Sequence, residues 1–412
     1  MSRPAPLVCL ITPGHVASTP RLVKNADALA AAGYRVHVIA GRHFPPVDPL
    51  DESLLSRAAW THTRVDARGG PRTLARKLLR RVSRRCLQLN LPVSVSLAAR
   101  AHHAEIFHLA QAAARVPAQL YIGHCLAGLP AAALAARARG VPCAFDAEDY
   151  HDGEEISEPH ELRARQIIQA KFLPACSFVT AASPLIAERY RDSYGIHPTT
   201  LLNVFPLAEA PPTPFTPPPI SAARPARLYW FSQTIGPGRG LEATIAILGK
   251  MRTPVELHLR GFVSDDYAAR LRLLASDAKL PTPLQFLPPA APAEMIPLAA
   301  TADLGLSTEE SQPLNRDLCL TNKIFTYLLA GVPQWLSTTR AQTAFAQALG
   351  GAALLGDLAQ ADNTAHALDE FLADSKKLIQ SRETAWRLAR ARYCWDVEQI
   401  TLLQLVDPLL RR

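Results

Sequence analysis

Long apolar runs are missing from this sequence: no stretch approaches the roughly 18 consecutive apolar residues that a membrane-spanning helix needs. Cysteine pairs in CxxC spacing are also missing. The seven cysteines (Cys9, Cys86, Cys125, Cys143, Cys176, Cys319, Cys394) are scattered and odd in number. That argues against a disulfide framework or a structural zinc and for a reducing compartment. HExxH and GxGxxG are absent, which weakens a metalloprotease or dinucleotide reading. No basic motif is interleaved with aromatics, so nucleic acid is not an expected partner. The opening MSRPAPLVCLIT enters a strand at once, without the apolar core and cleavage site of a signal peptide. The expected location is the cytoplasm, with peripheral contact at the inner membrane face.

What is present is the composition of a globular protein, and 412 residues imply two or three domains. The net charge of +8 suits a phosphate-rich ligand or an anionic membrane face. Short apolar strands alternate with Ala-rich helices: LVCLIT, RVHVIA, QLYIG, PCAFD and SFVTAAS in the first half. RLYWFS, VELHLRG, LQFLP, ADLGLS and VPQWLS follow in the second. Such alternation implies parallel sheets with helices on both faces. Between the halves, the proline-dense stretch 206–226 reads as a semi-rigid extended linker. The expected layout is an α/β domain over 1–205, the linker, a second α/β domain over 227–374, and helices over 375–412 that pack back on the first domain. Ligands in doubly wound folds bind at the carboxyl ends of strands, so the cleft between the halves is the expected site.

LTNKIFTYLLAGVP (320–333) reads as a helix capped by Thr321 and stopped by Gly331 and Pro333. Lys323 falls in its first turn, where the helix dipole disfavours a cation unless an anion docks there. The loop WFSQTIGPGRGLE (230–242) holds Gly236, Gly238 and Gly240 and opens a helix. Its glycines let backbone N–H groups approach an anion, and Arg239 adds a bidentate phosphate donor. Arg260 ends the next strand. Arg239, Arg260 and Lys323 are therefore expected to converge on a diphosphate. Glu309 and Glu310 follow strand ADLGLS, where carboxylates either accept from sugar hydroxyls or form a solvated loop.

In the first half, TPGHVASTPR (12–21) is a turn after the first strand in which Gly14 permits close approach and His15 lines the cleft; Arg21 is a weaker candidate. FDAEDYHDGEEISEPHE (145–161) places Asp146, Glu148, Asp149 and His151 nearest a strand end. No metal is expected there, because the ligand spacing is too loose. His124 ends one strand and heads a helix, a place suited equally to packing and to chemistry. PRTLARKLLRRVSRRCLQL (71–89) carries Arg72, Arg76, Lys77, Arg80, Arg81, Arg84 and Arg85, with Leu74, Leu78, Val82 and Cys86 opposite. Two readings stand for it: a basic face over a buried apolar stripe, or docking of 72–86 on an anionic leaflet.

TPGHVASTPR, YIGHCLAGLPAAALAARARGVPCAFDAED, SQTIGPGRGLE and LTNKIFTYLLAGVPQWLS together resemble the GT-B glycosyltransferases of the large retaining group called family 4. The resemblance covers both halves. It implies two Rossmann-like domains and metal-independent transfer of a sugar from a nucleoside diphosphate sugar to a glycan, glycolipid or similar acceptor. No cofactor is implied beyond the donor itself. Arg239 and Lys323 match the positions where that family binds the donor diphosphate, and His124 a histidine position near the reacting sugar. From the residue pattern itself, Gly238, Gly240 and Arg260 join the diphosphate site, and Glu309, Glu310, Asn322 and Thr326 are assigned to the donor's sugar or ribose. Catalytic positions fall to His124, Asp146 and Glu148. Two departures stand out: the family's NKxFEY glutamate is Thr326 here, and its DxHE appears as Asp146-Ala147-Glu148-Asp149. A non-catalytic nucleotide-sugar-binding subunit and a GT-B epimerase are the alternatives.

Overall fold

The structure is a computed structural model that describes residues 4–155 and 158–411, with the Arg72 side chain outside the described set. The chain divides into two compact units, one ending at Leu201 and rejoined by Gln399–Arg412, the other Leu202–Glu398.

In the first unit, β1 (Leu7–Thr12) is buried along its whole length, as a parallel strand covered on both faces must be. Around it lie β2 (Arg35–Arg42), β3 (Thr61–Asp66), β4 (Leu120–His124), β5 (Cys143–Glu148), β6 (Val179–Ala181) and β7 (Thr199–Thr200), in the order β3-β2-β1-β4-β5-β6-β7. Every pairing is parallel. The second unit repeats the plan with β8 (Ala226–Thr234), β9 (Val255–Phe262), β10 (Gln285–Leu287), β11 (Leu304–Ser307), β12 (Gln334–Leu336) and β13 (Ala353–Leu355), ordered β10-β9-β8-β11-β12-β13. In each sheet the strand order reverses once, between β1 and β4 and between β8 and β11. Loops after those strands diverge to opposite faces and leave a crevice at the carboxyl ends.

β3, β7 and β13 were not legible in the sequence. All are at or next to a sheet edge, and β3 (THTRVD) is largely exposed, so no apolar run marks it.

The proline-dense stretch is interrupted by a 3-10 turn at Leu207–Glu209 and a tight turn bridged by Ser221 and Arg224, so it is neither uniformly extended nor a free spacer. It belongs to the second unit and is strapped to the helix Ser375–Ala391. Prolines lack N–H groups, so the strap offers carbonyls and the helix supplies donors. Pro211 O accepts from Arg390 Nη2 at 2.8 Å and Trp386 Nε1 at 3.4 Å. Arg382, almost fully buried, donates through Nε to Phe215 O at 2.7 Å, through Nη1 to Ala302 O at 2.7 Å and through Nη2 to Ala300 O at 2.8 Å. Only the last turns of the chain pack on the first unit: Tyr34 Oη donates to Asp407, and Arg411 Nη2 donates to Ala32 O at 2.7 Å.

Arg382→Met removes the donor for three carbonyls at once. At roughly 1–3 kcal/mol for each stranded buried acceptor, a stability loss of about 4 kcal/mol is expected in chemical denaturation. An unchanged midpoint would show that the strap is not held this way.

Candidate functional site

In the second unit the loops after β8 and β11 flank the strand reversal, and they carry most of the expected anion-binding residues. Gly240 ends the β8 loop at φ +70°, and a Cβ there would stand 2.1 Å from Thr308 O. Only glycine fits, on conformation and on space. The loop is tied to the β11 side twice: Gly240 N donates to Glu310 Oε1 at 3.2 Å, and Arg316 donates to Gly238 O. Arg239, between the two glycines, forms no hydrogen bond or ion pair among the described residues. Its charge nonetheless reaches Arg316: burial first, then Arg239, lowers the Arg316 pKa. Two guanidinium groups that repel one another are an arrangement that a bridging anion relieves.

Lys323 opens the helix Asn322–Leu329. The expected Thr321 side-chain cap is not made; its hydroxyl lies 3.1 Å from Ser307 Oγ instead. Lys323 Nζ is buried, 2.6 Å from Glu309 Oε1 and 5.2 Å from the Trp230 ring centroid. Burial works against the Glu309 charge, but Lys323, then Arg239 and Arg316, hold its carboxyl below the usual range. Around this pair, Glu309 Oε2, Thr308 Oγ1, Thr326 Oγ1 and Trp230 Nε1 are buried without a hydrogen-bond partner among the described residues. Such orphans are rare in native proteins and mark places where a ligand supplies the partner. Asn322 is exposed at the start of the same helix.

Arg260 does not join this group. It donates through Nε to Tyr229 Oη at 2.7 Å and through Nη1 to Pro288 O at 2.7 Å. The reason is topological: β9 lies one strand away from the reversal, against β10. Arg316 takes the place expected of Arg260. It lies on the short helix Leu314–Leu318, and a single arginine in a polar stretch gave no signal in the sequence.

In the first unit β4 and β5 end side by side, and their last residues carry the expected catalytic set. Asp146 is buried and saturated: Arg21 donates from Nε at 2.6 Å and Nη2 at 2.9 Å, and Thr180 Oγ1 donates at 2.7 Å. Burial pushes its carboxyl up, but Arg21 and then His124 outweigh burial and hold it well below the usual range. Asp146 is therefore a fixed anion that positions its neighbours. Arg21, a weaker candidate in the sequence, is its main partner. His124 is fully buried with Nδ1 3.2 Å from Asp146 Oδ2, and neither ring nitrogen completes a hydrogen bond among the described residues.

Glu148 follows a register shift in the β5–β6 pairing and has φ +56°, while Cys125, next to His124, has φ +57°. Left-handed backbone at two non-glycine residues costs about 1 kcal/mol or more each and concentrates at functional sites. Burial, more than any neighbour, pushes the Glu148 carboxyl up to about 7. His151 is turned inward to Glu154, with Nδ1 2.6 Å from Oε1.

The β1 loop departs from expectation. His15 does not offer its ring to a ligand. Nε2 accepts from His43 N at 3.2 Å and Phe44 N at 2.9 Å, which leaves Nδ1 to donate to Asp51 Oδ2 at 2.8 Å. Nor is Gly14 the close-approach glycine, since a Cβ there meets only the Thr19 and Thr12 hydroxyls at 3.5 and 3.8 Å. That role falls to Gly41, where a Cβ would stand 1.9 Å from Pro13 O. His15, Asp48 and Asp51 place potential metal-ligand atoms within 4.8 Å of one another. The donor set does not fit an ion: His15 is engaged by Asp51, and Asp48 takes Arg42 Nε at 2.8 Å and Nη2 at 2.6 Å.

No family model and no curated protein matches the sequence. Solved structures do match, along the whole chain. HepE from Anabaena, in complex with UDP and glucose, has a TM-score of 0.71 at 17% identity, covering 98% of this chain and 100% of that one. Sucrose-phosphate synthase from Thermosynechococcus elongatus has a TM-score of 0.69 at 13% identity, covering 98% and 99%. The apo lipopolysaccharide outer core galactosyltransferase WaaB has a TM-score of 0.63 at 11% identity, covering 98% and 99%. With its two parallel sheets of seven and six strands, this chain has the GT-B glycosyltransferase fold.

Proposed function

We propose that this chain is a glycosyltransferase that moves a sugar from a nucleoside diphosphate sugar to a glycan, glycolipid or similar acceptor, with retention and without a metal ion. The observation that carries the reading is the gathering of Arg239, Arg316 and Lys323 at the strand reversal of the second unit, beside buried polar atoms that lack partners. The bound UDP of HepE supports a nucleoside diphosphate there. In this reading the second unit holds the donor and the first unit the acceptor, and residues 72–86 bring the protein against an anionic membrane at the cytoplasmic face.

Bond cleavage leaves growing negative charge on the departing diphosphate. Arg239, Lys323 and the uncapped start of helix Asn322–Leu329 supply fixed positive charge for it in place of a metal. Glu309 holds Lys323 in position, and Thr326 and Trp230 Nε1 offer hydrogen bonds to the donor's hydroxyls. His124 is the first unit's candidate for contact with the reacting sugar, with Asp146 and Arg21 as positioning residues. Glu148 holds a proton near neutral pH. The departing diphosphate takes the acceptor's proton as the new bond forms on the face it leaves.

Thermal stabilisation by UDP, GDP, ADP and their sugar conjugates tests the donor site. At about 100 times Kd one nucleotide class is expected to add roughly 2.7 kcal/mol to the wild type, an effect that Arg239→Ala and Lys323→Ala reduce. Arg239→Ala is the cleaner variant, because it breaks no internal hydrogen bond. If no nucleotide shifts the wild type, the reading fails. Binding without transfer in a product assay would favour the non-catalytic partner subunit.

A second expectation concerns pH. Glu148 rises from 4.5 to about 7 in the folded chain, so folding favours its protonated form. Its contribution to stability is complete below pH 4.5 and is lost as pH rises through 7. Glu148→Gln keeps the neutral shape at every pH. Relative to this variant, the wild type is expected to lose on the order of 2 kcal/mol across that window in chemical denaturation. Parallel pH profiles would contradict a carboxyl raised in this way at Glu148.

A further inference from the structure

The helix Pro71–Gln88 is built inside out. Its inward face holds Thr73, Ser83 and Leu87, all buried, together with three arginines. Arg76 pairs with Glu105 at 2.9 Å, Arg80 Nε donates to Ala101 O at 3.2 Å, and Arg84 pairs with Glu161. The apolar stripe expected to be buried faces solvent instead: Leu74, Leu78 and Val82 are 65%, 62% and 53% exposed, and Leu79 is 42% exposed. Residues four apart stack along one side of a helix, so these side chains form a continuous ridge. Leu89 and Leu91 extend it past the helix end. A soluble monomer seldom leaves such a ridge uncovered.

The flanking charge says what covers it. Lys77, Arg81 and Arg85 are exposed at the same four-residue spacing in the adjoining row. A second copy of this chain would bring those cations face to face, whereas an anionic lipid surface neutralises them. We propose that this ridge inserts into an anionic bilayer leaflet. Leu74, Leu78, Leu79 and Val82 enter the acyl boundary, and Lys77, Arg81 and Arg85 meet the headgroups. The inward arginines hold the helix to its unit, so insertion anchors the whole unit and not a loose peptide. This goes beyond contact through a basic face: the arginines expected to lie on the lipid are in part the internal fastening.

The helix begins a few residues after β3, on the carboxyl-end side of the sheet that also ends in His124. Resting on the glycosyl-transfer reading for this point alone, anchoring of the unit favours a membrane-resident glycolipid over a soluble glycan as acceptor.

The test is flotation of the full-length chain with vesicles of phosphatidylcholine alone and of phosphatidylcholine mixed with phosphatidylglycerol. The wild type is expected to float with the mixed vesicles. The combined variant Leu74→Ser, Leu78→Ser, Val82→Ser should bind them about tenfold more weakly, with an unchanged thermal midpoint because the sites are exposed. Lys77→Gln, Arg81→Gln, Arg85→Gln should lose the preference for the anionic lipid. A wild type that does not float, or a serine variant that floats equally well, overturns the proposal. So does a lipid-free dimer that the serine variant converts to monomer, since a second copy would then cover the ridge. Nucleotide-induced stabilisation, measured on the same variants without lipid, reports the donor site separately, so either idea can fail alone.

Discussion

A buried carboxylate held by a cation stands at the carboxyl ends of the strands of each sheet: Asp146 by Arg21 in the first unit, Glu309 by Lys323 in the second. Replacing such pairs with apolar residues of equal volume is often neutral or stabilising, so net stability is a poor reason for their presence. Their effect is on placement. Removing either partner strands a charge with no water to receive it, which confines the other partner to one geometry. His124 lies against the first pair, with Nδ1 3.2 Å from Asp146 Oδ2, and the glycine loop is tied to the residues next to the second through Glu310 and Arg316. The chemistry-bearing groups of both units hang on these two contacts.

Much of this was legible in the sequence, for reasons that can be named. Central strands such as LVCLIT announce themselves because both faces are buried, whereas the edge strand THTRVD has one face in water and looks like a loop. The turn at Gly240 was legible because turn conformation is a local rule that a short segment must obey. The polarity of its helix singled out Lys323 as a cation needing an anion, but not Glu309 as the carboxylate that pairs with it. Arg260 misled because its strand was assigned correctly but the strand's place in the sheet was unknown; strand order, which decides which ends neighbour the reversal, is a property of the whole chain. Arg316 and Asp51 act across long sequence separations, and nothing near them in the sequence points to their partners.

Helix 71–88 shows a different limit. Its spacing revealed two faces, one apolar and one basic, but periodicity carries no sign for which face turns inward. That choice was made by Glu105, Glu161 and the Ala101 carbonyl, which offer the arginines partners that the leucines could not use.

Along helix Ser375–Ala391 the proline-dense strap is held through its carbonyl oxygens, at Pro211 and Phe215, with the donors Arg382, Trp386 and Arg390 on the helix. At Pro211 recognition of that kind is nearly blind to side-chain identity, whereas Phe215 also sets its ring 5.6 Å from the Arg382 guanidinium and Arg224 pairs with Asp303 at 2.9 Å. Drift in sequence is therefore cheap at strap positions held only through the backbone and expensive at Arg382, a single helical residue. Two segments in contact thus evolve under unequal constraint, with the burden of specificity carried by the ordered partner.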